Sequence, residues 1–190
     1  MAKICIYGAG AIGGYLAACL DRAGAEVSLV ARGPHLAAIQ KEGLRLNKGG
    51  EISVYHLQAS DNPSDLGEQD YIILALKAHG IPKIIDQMAP LLGPNTAVVS
   101  AVNGLPWWYF HQANTGTMLD NQPLQAVDPG GRIYSEIGAH RAIGCVVYPA
   151  CEIAEPGLIQ HIDGERFSLG EPSGEASERV KTLSQLMIAG

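Results

Sequence analysis

The sequence predicts an α/β fold of the doubly wound kind, a parallel sheet with helices on both faces in a three-layer αβα architecture. Three observations carry the prediction. Residues 3–7, KICIY, form a short apolar run typical of a buried parallel strand. The next residues, Gly8-Ala9-Gly10-Ala11-Ile12-Gly13, fit G-x-G-x-x-G and open a helical pattern. Strand-like and helix-like segments then alternate as far as residue 104. Together these read as a Rossmann-type sheet.

The elements follow in order. Ile12, Leu16 and Leu20 lie four apart on one helical face, and Gly24 stops that helix. EVSLVAR (26–32) is a second strand, and GPHLAAIQKEG (33–43) a helix opening with Pro34 and ending near Gly43. Alternating apolar residues on both sides of Lys48-Gly49-Gly50 predict a hairpin. DYIILALK (70–77) is an apolar strand, IPKIIDQMAPLLG (81–93) a helix, and TAVVSAVNG (96–104) another buried strand. Residues 111–135 carry Gly, Pro, Asn and Asp with little periodicity and read as a long excursion. RAIGCVVYPACEI (141–153), GLIQHI (157–162) and ERFSLG (165–170) are three further strand candidates. The last segment, from Ser173, is an amphipathic helix that Ser173 could cap, with Val180, Leu183, Leu186 and Met187 on its apolar face.

Composition narrows the function. With 190 residues, 47% hydrophobic, the chain can bury a sizeable core. A net charge of -6 without a basic run argues against nucleic acid or an anionic membrane as partner. No apolar stretch approaches the length of a membrane span, and the N-terminus does not read as a signal peptide. Cys5, Cys19, Cys145 and Cys151 form no C-x-x-C pair; Cys5 and Cys19 sit in apolar runs and read as buried thiols, and the setting is expected to be reducing and cytoplasmic. The six histidines show no metal-ligand spacing, so no metal site is expected.

In the glycine loop each glycine has its own task. Gly8 permits the tight turn, Gly10 lets a pyrophosphate approach the backbone, and Gly13 lets the helix pack closely on the strand. The helix N-terminus adds unpaired N–H groups and the positive end of its dipole. In an NAD site an acid stands about 20 residues further on and binds the ribose hydroxyls. Here that place falls on Ala31 and Arg32, and the nearest acid, Glu26, is at the wrong end of its strand. An arginine there suits a 2′-phosphate, which favours NADP(H) over NAD.

Three segments, GAGAIGGYLA (8–17), ILALKAHGI (73–81) and AVNGLPWWYF (101–110), resemble the ketopantoate reductases (2-dehydropantoate 2-reductases), as do the later EPGLIQHIDG and FSLGEPSG. The resemblance covers essentially the whole chain. It implies an oxidoreductase of pantothenate biosynthesis that reduces a small 2-keto acid with NADPH. It also implies a Rossmann domain followed by a helical domain, with the active site between them. Residues 8–13 (Gly8, Ala9, Gly10, Ala11, Ile12, Gly13) would then hold the pyrophosphate and Arg32 the 2′-phosphate. Lys77 would lie near the cofactor, and Asn103 beside the nicotinamide and the substrate. Ala150-Cys151-Glu152 falls near a further cofactor contact. Independently of the resemblance, Lys77 and Asn103 end predicted parallel strands, where ligands of open α/β sheets bind. A plain surface lysine and a simple Asn-Gly turn are the structural alternatives.

Two features depart from the family pattern. Trp107-Trp108-Tyr109-Phe110 are consecutive, which no single amphipathic face requires; they could form an apolar wall for substrate, a docking patch, or ordinary core. The family's substrate-contacting lysine lies on the first helix of the helical domain, and no residue here matches it. Residues 1–190 are therefore expected to be the NADP-binding Rossmann domain without the helical substrate domain, inactive alone, with no catalytic residue of their own. A non-catalytic NADP(H)-binding module and another NADP-dependent two-domain dehydrogenase are the alternatives. The expected partner is a small 2-keto acid, and a homodimer is compatible with the chain.

Overall fold

The computed structural model describes all 190 residues. The chain runs β1 (Lys3–Tyr7), α1 (Ala11–Arg22), β2 (Glu26–Val30), α2 (Gly33–Glu42), β3 (Leu44–Lys48), β4 (Glu51–Tyr55), β5 (Gln58–Ser60), β6 (Gln69–Leu74), α3 (Ile85–Met88), β7 (Leu92–Ser100), β8 (Ala142–Val147), β9 (Ala150–Glu155), β10 (Leu158–Asp163), β11 (Phe167–Gly170) and α4 (Glu178–Ala189). Seven strands form the main sheet, in the order β11-β8-β7-β6-β1-β2-β5. All neighbours pair in parallel except β11, which runs antiparallel to β8. The strand order reverses beside β1, which is the doubly wound arrangement expected from the sequence.

The strands that carry the site are the apolar runs picked out in the sequence, and their residues are almost all buried because helices and loops cover both faces. One core joins the sheet to α1, α2 and α4. The other lies under Ile81, Ile85, Met88, Leu91, Trp107, Ile133 and Ile137. No helix is long and apolar enough to cross a membrane.

Four expectations need correction. The helix at 81–93 is broken into α3 between two 3-10 turns, Ala78–Lys83 and Ala89–Leu91, because Pro82 and Pro90 remove N–H donors and disturb a regular helix. RAIGCVVYPACEI is two strands, β8 and β9, separated at Tyr148-Pro149 and belonging to different sheets. The cap of α4 is Ser177, whose hydroxyl accepts from the Val180 N–H, rather than Ser173. Finally, β2 and β6 end at Val30 and Leu74, so Arg32 and Lys77 stand just beyond their strands.

The hairpin β3–β4 forms about Gly49-Gly50, both at positive φ as a two-residue turn requires. It leaves the main sheet, however, and joins β10 and β9 in a second sheet of order β4-β3-β10-β9. Helix α1 is thereby held between two sheets, and every residue from Gly13 to Leu20 is buried. A side chain at Gly13 would overlap the Gly8 carbonyl and press on Ile6 and Ala75; one at Gly14 would come within 2.6 Å of Ile159 on the other side.

Gly13→Ala should therefore destabilise the fold by about 1–3 kcal/mol, the usual cost of overpacking. At roughly 2–4 °C per kcal/mol for a domain of this size, thermal unfolding should show a Tm lower by several degrees. An unchanged Tm would contradict the close approach of α1 to β1.

Candidate functional site

The carboxyl ends of four adjacent parallel strands define the site. Val30, Tyr7, Leu74 and Ser100 are register partners across β2, β1, β6 and β7. Counting on from that rung, Gly8 is one residue beyond, Arg32 two, Lys77 three and Asn103 three. The fold thus brings the loop, Arg32, Lys77 and Asn103 to one edge of the sheet. Strands are about 4.8 Å apart, so β2 and β7 lie roughly 14 Å apart there. This is an extended row, with Arg32 at one end and Asn103 at the other.

The glycine loop is built from the backbone. Gly8 has φ +103, a region side chains disfavour, and a Cβ there would meet Leu76 Cδ2 at 2.6 Å. The Gly8 and Ala9 N–H groups both donate to the Val30 carbonyl, at 3.0 and 3.3 Å, which fixes the loop against β2. Gly14 N–H makes the first helical bond, to Gly10 O at 2.7 Å. No side chain caps the helix and no acid stands in its first turn. The N–H groups of Ala11, Ile12 and Gly13 therefore point outward without partners, at the positive end of α1. A Cβ built on Gly10 meets nothing within 4 Å. Open space over free N–H donors is what a pyrophosphate needs, so these residues fit a dinucleotide.

Arg32 is the N-cap residue of α2, exposed and in no ion pair or side-chain hydrogen bond. Lys77 is likewise exposed and unpaired, in extended backbone at the start of the turn after β6. Asn103 is bound more tightly. Its Nδ2 donates to the Val147 carbonyl at 2.9 Å, and its Oδ1 accepts the Val147 N–H at 3.0 Å. The side-chain amide continues the β7–β8 ladder past Ser100 and Gly144. An Asn amide offers two donors and two lone pairs, so one of each remains for a ligand. Ala150-Cys151-Glu152 lie at the start of β9, in the second sheet.

A cleft of about 540 Å³ opens beside Asn103, bounded by Gly104, Pro106, Trp108, Cys145 and Glu171. That volume suits a small molecule. Trp108 donates its indole N–H to Ser100 Oγ at 3.0 Å and lies over Gly144, where a Cβ would touch its ring. The neighbouring Trp107 is buried in the lower core, against which Trp108 also packs, partly buried. The aromatic run thus divides between wall and core. The cleft does not reach the glycine loop or Arg32. It holds no activated nucleophile, since burial pushes the Cys145 thiol up to about 12.

One contact with the loop had no sequence signal. His35, in the first turn of α2, donates from Nε2 to the Ala9 carbonyl at 2.6 Å and accepts the Gly157 N–H on Nδ1 at 3.0 Å. Its two partners lie 26 and 122 residues away, so no local pattern could have shown it.

Comparison with known proteins shows the fold and the family. The chain is 57% identical over 187 residues to a 2-dehydropantoate 2-reductase of Mesorhizobium japonicum, covering 98% of this chain and 57% of that protein. A crystal structure from Ralstonia solanacearum, described as a candidate ketopantoate reductase, superposes with a TM-score of 0.91 at 44% identity, over all of this chain and 58% of that one. The 2-dehydropantoate 2-reductase of Porphyromonas gingivalis gives 0.77 at 27% identity, over 99% and 61%. The chain thus spans a little over half the length of these relatives. Residues 4–174 match the family described as ketopantoate reductase PanE/ApbA, and the chain belongs to that family.

Proposed function

We propose that these 190 residues are the NADP(H)-binding Rossmann domain of an NADPH-dependent reductase of a small 2-keto acid, ketopantoate or a relative of it. The observation that carries the reading is the unpaired Arg32 guanidinium at the end of β2, next to a glycine loop with free N–H groups. The loop from Gly8 to Gly13 would hold the pyrophosphate and Arg32 the 2′-phosphate. Lys77 would stand beside the cofactor, and Asn103, oriented by Val147, would present its remaining N–H and lone pair to the nicotinamide or the substrate. When bound, the cofactor supplies a hydride for the keto carbon. These residues would furnish one side of the keto acid's site, the side of Asn103 and Trp108, and the helical domain of the family would furnish the other. Turnover would accordingly need both sides, because positioning and charge stabilisation each contribute several kcal/mol to lowering a barrier. Four free thiols fit a reducing cytoplasm.

Gly10→Ala separates binding from folding. Gly10 has φ -70 and open space around it, so alanine fits without strain. Stability should stay within about 0.5 kcal/mol of the parent, while the methyl group stands where the pyrophosphate approaches. NADPH affinity, measured by fluorescence titration, should fall by at least about tenfold. Retained affinity would place the pyrophosphate elsewhere.

Arg32→Ala tests the choice of nucleotide. A charge-assisted hydrogen bond contributes roughly 1.5–3 kcal/mol, so NADPH binding should weaken on the order of 10- to 100-fold. NADH binding should change little. Raising the salt concentration should erode the preference of the parent chain, because the contact is exposed. Equal losses for the two nucleotides, or none for either, would remove the case for NADP.

A further inference from the structure

We propose that His35 is a positioning residue of the dinucleotide site, a neutral clamp that holds the glycine loop, the first turn of α2 and the β9–β10 turn in one fixed relation. The inference rests on the proposed nucleotide-binding role of the loop and Arg32.

The geometry fixes the protonation state. A carbonyl only accepts, so Nε2 facing Ala9 O must carry the proton; a backbone N–H only donates, so Nδ1 facing Gly157 must be bare. One neutral tautomer satisfies both, and the imidazolium satisfies only one. His35 lies three residues after Arg32, so the ring ties the pyrophosphate loop to the turn that carries the phosphate-binding guanidinium. The third anchor is also rigid. A Cβ on Gly157 would come within 2.9 Å of Ala38 Cβ, so the β9–β10 turn presses directly on α2. The Ala9 peptide is the link between Gly8 and Gly10, and moving its carbonyl re-aims the N–H groups on which the phosphates would rest.

The clamp has a pH dependence of known sign. Burial lowers the His35 pKa from its ordinary value, partly offset by the bond to Ala9. The charged and titratable groups on the surrounding elements are Arg32, Lys41 and Glu42 on or beside its own helix, Arg45 and Lys48 on β3, Glu152 and Glu155 on β9, and His161 and Asp163 on β10. Arg45 and Glu155 pair with each other at 3.1 Å, and α1 has no acid in its first turn. With the folded pKa below the unfolded one, the contribution of the clamp is complete above the ordinary histidine range. It is lost as pH falls through the lowered value.

The test compares NADPH and NADH affinities of the parent chain, His35→Phe and His35→Gln at pH 8 and at pH 5.5. Glutamine can donate to Ala9 and accept from Gly157 without titrating, whereas phenylalanine can do neither. At pH 8, His35→Phe should lose on the order of tenfold for both nucleotides, about 1.4 kcal/mol, and His35→Gln should restore most of it. Between pH 8 and 5.5 the parent should weaken more than His35→Gln. Protonation of the 2′-phosphate, whose pKa is about 6, affects both proteins alike and cancels in the ratio. Should His35→Phe fail to fold, the comparison of parent with His35→Gln decides alone. Parallel pH profiles for those two, full affinity in His35→Phe, or a glutamine variant no better than phenylalanine would each overturn the clamp and leave the proposed function standing. A parent chain that binds neither nucleotide would overturn the proposed function, and the clamp with it.

Discussion

The close approach of α1 to β1 is the constraint on which the site depends. At Gly13 there is room for a hydrogen atom and nothing larger, because the Gly8 carbonyl and the side chains of Ile6 and Ala75 occupy the rest. That contact sets the direction of the α1 axis and hence the place where its free N–H groups emerge. The next residue, Gly14, performs the same service on the opposite side, where Ile159 of the second sheet fills the space. Two adjacent glycines in a helix are intrinsically unfavourable, at about 1 kcal/mol each relative to alanine. Here they allow one helix to lie between two sheets, and the buried contacts on both sides offset that cost.

Charge is distributed to match this geometry. The whole chain is acidic, at -6, yet the segments that form the site edge, 8–20, 31–41, 75–84 and 101–106, contain no Asp or Glu. They do contain Arg32 and Lys77, both exposed and without ion-pair partners. Several cations elsewhere are paired, as Arg179 is with Glu171 at 2.6 Å and Lys48 with Glu165 at 2.5 Å. An electropositive edge on an acidic molecule concentrates attraction for an anionic ligand in one place, whereas a uniformly basic surface would spread it.

Legibility in the sequence followed the range of the interactions. From β1 through the glycine loop to α2 the determinants are local: an apolar run, a glycine spacing, a four-residue periodicity and a helix-stopping Gly43. Those elements lie where the pattern put them, except that β2 ends at Val30 and leaves Arg32 as the N-cap of α2. Longer-range choices left weaker traces. β5 is three residues, Gln58–Ser60, too short to announce itself, yet it closes one edge of the main sheet through its pairing with β2. The hairpin at Gly49-Gly50 was visible, but its departure from the main sheet was not, because its partner β10 lies more than 100 residues away. The apolar spacing of 81–93 suggested a helix, and Pro82 and Pro90 outweighed it. Asn103 was legible as a residue at the end of a strand. That Val147 engages half of its amide depends on where β8 ends, which only the folded sheet determines.

The excursion between β7 and β8 shows how an irregular segment can cover a core without a long helix. A buried loop must satisfy its own backbone groups. Asp128, 1% exposed, does part of this by accepting the N–H groups of Ile133 and Tyr134, each at 2.9 Å. That fixes the turn from which Ile133 and Ile137 enter the lower core beside Trp107. Trp107 is anchored in that core, and Trp108 packs against it, partly buried. Trp108 also lies over Gly144 at the mouth of the cleft, its indole N–H tied to Ser100. The small residues Ser100 and Gly144 make the shelf on which the ring rests, and they are partners in the same sheet register. The wall of the cleft is thus held from the core side, through Trp107 and Asp128, and from the sheet side, through Ser100. An aromatic ring held from both directions presents a fixed apolar surface beside Asn103, whose remaining N–H and lone pair are fixed by Val147.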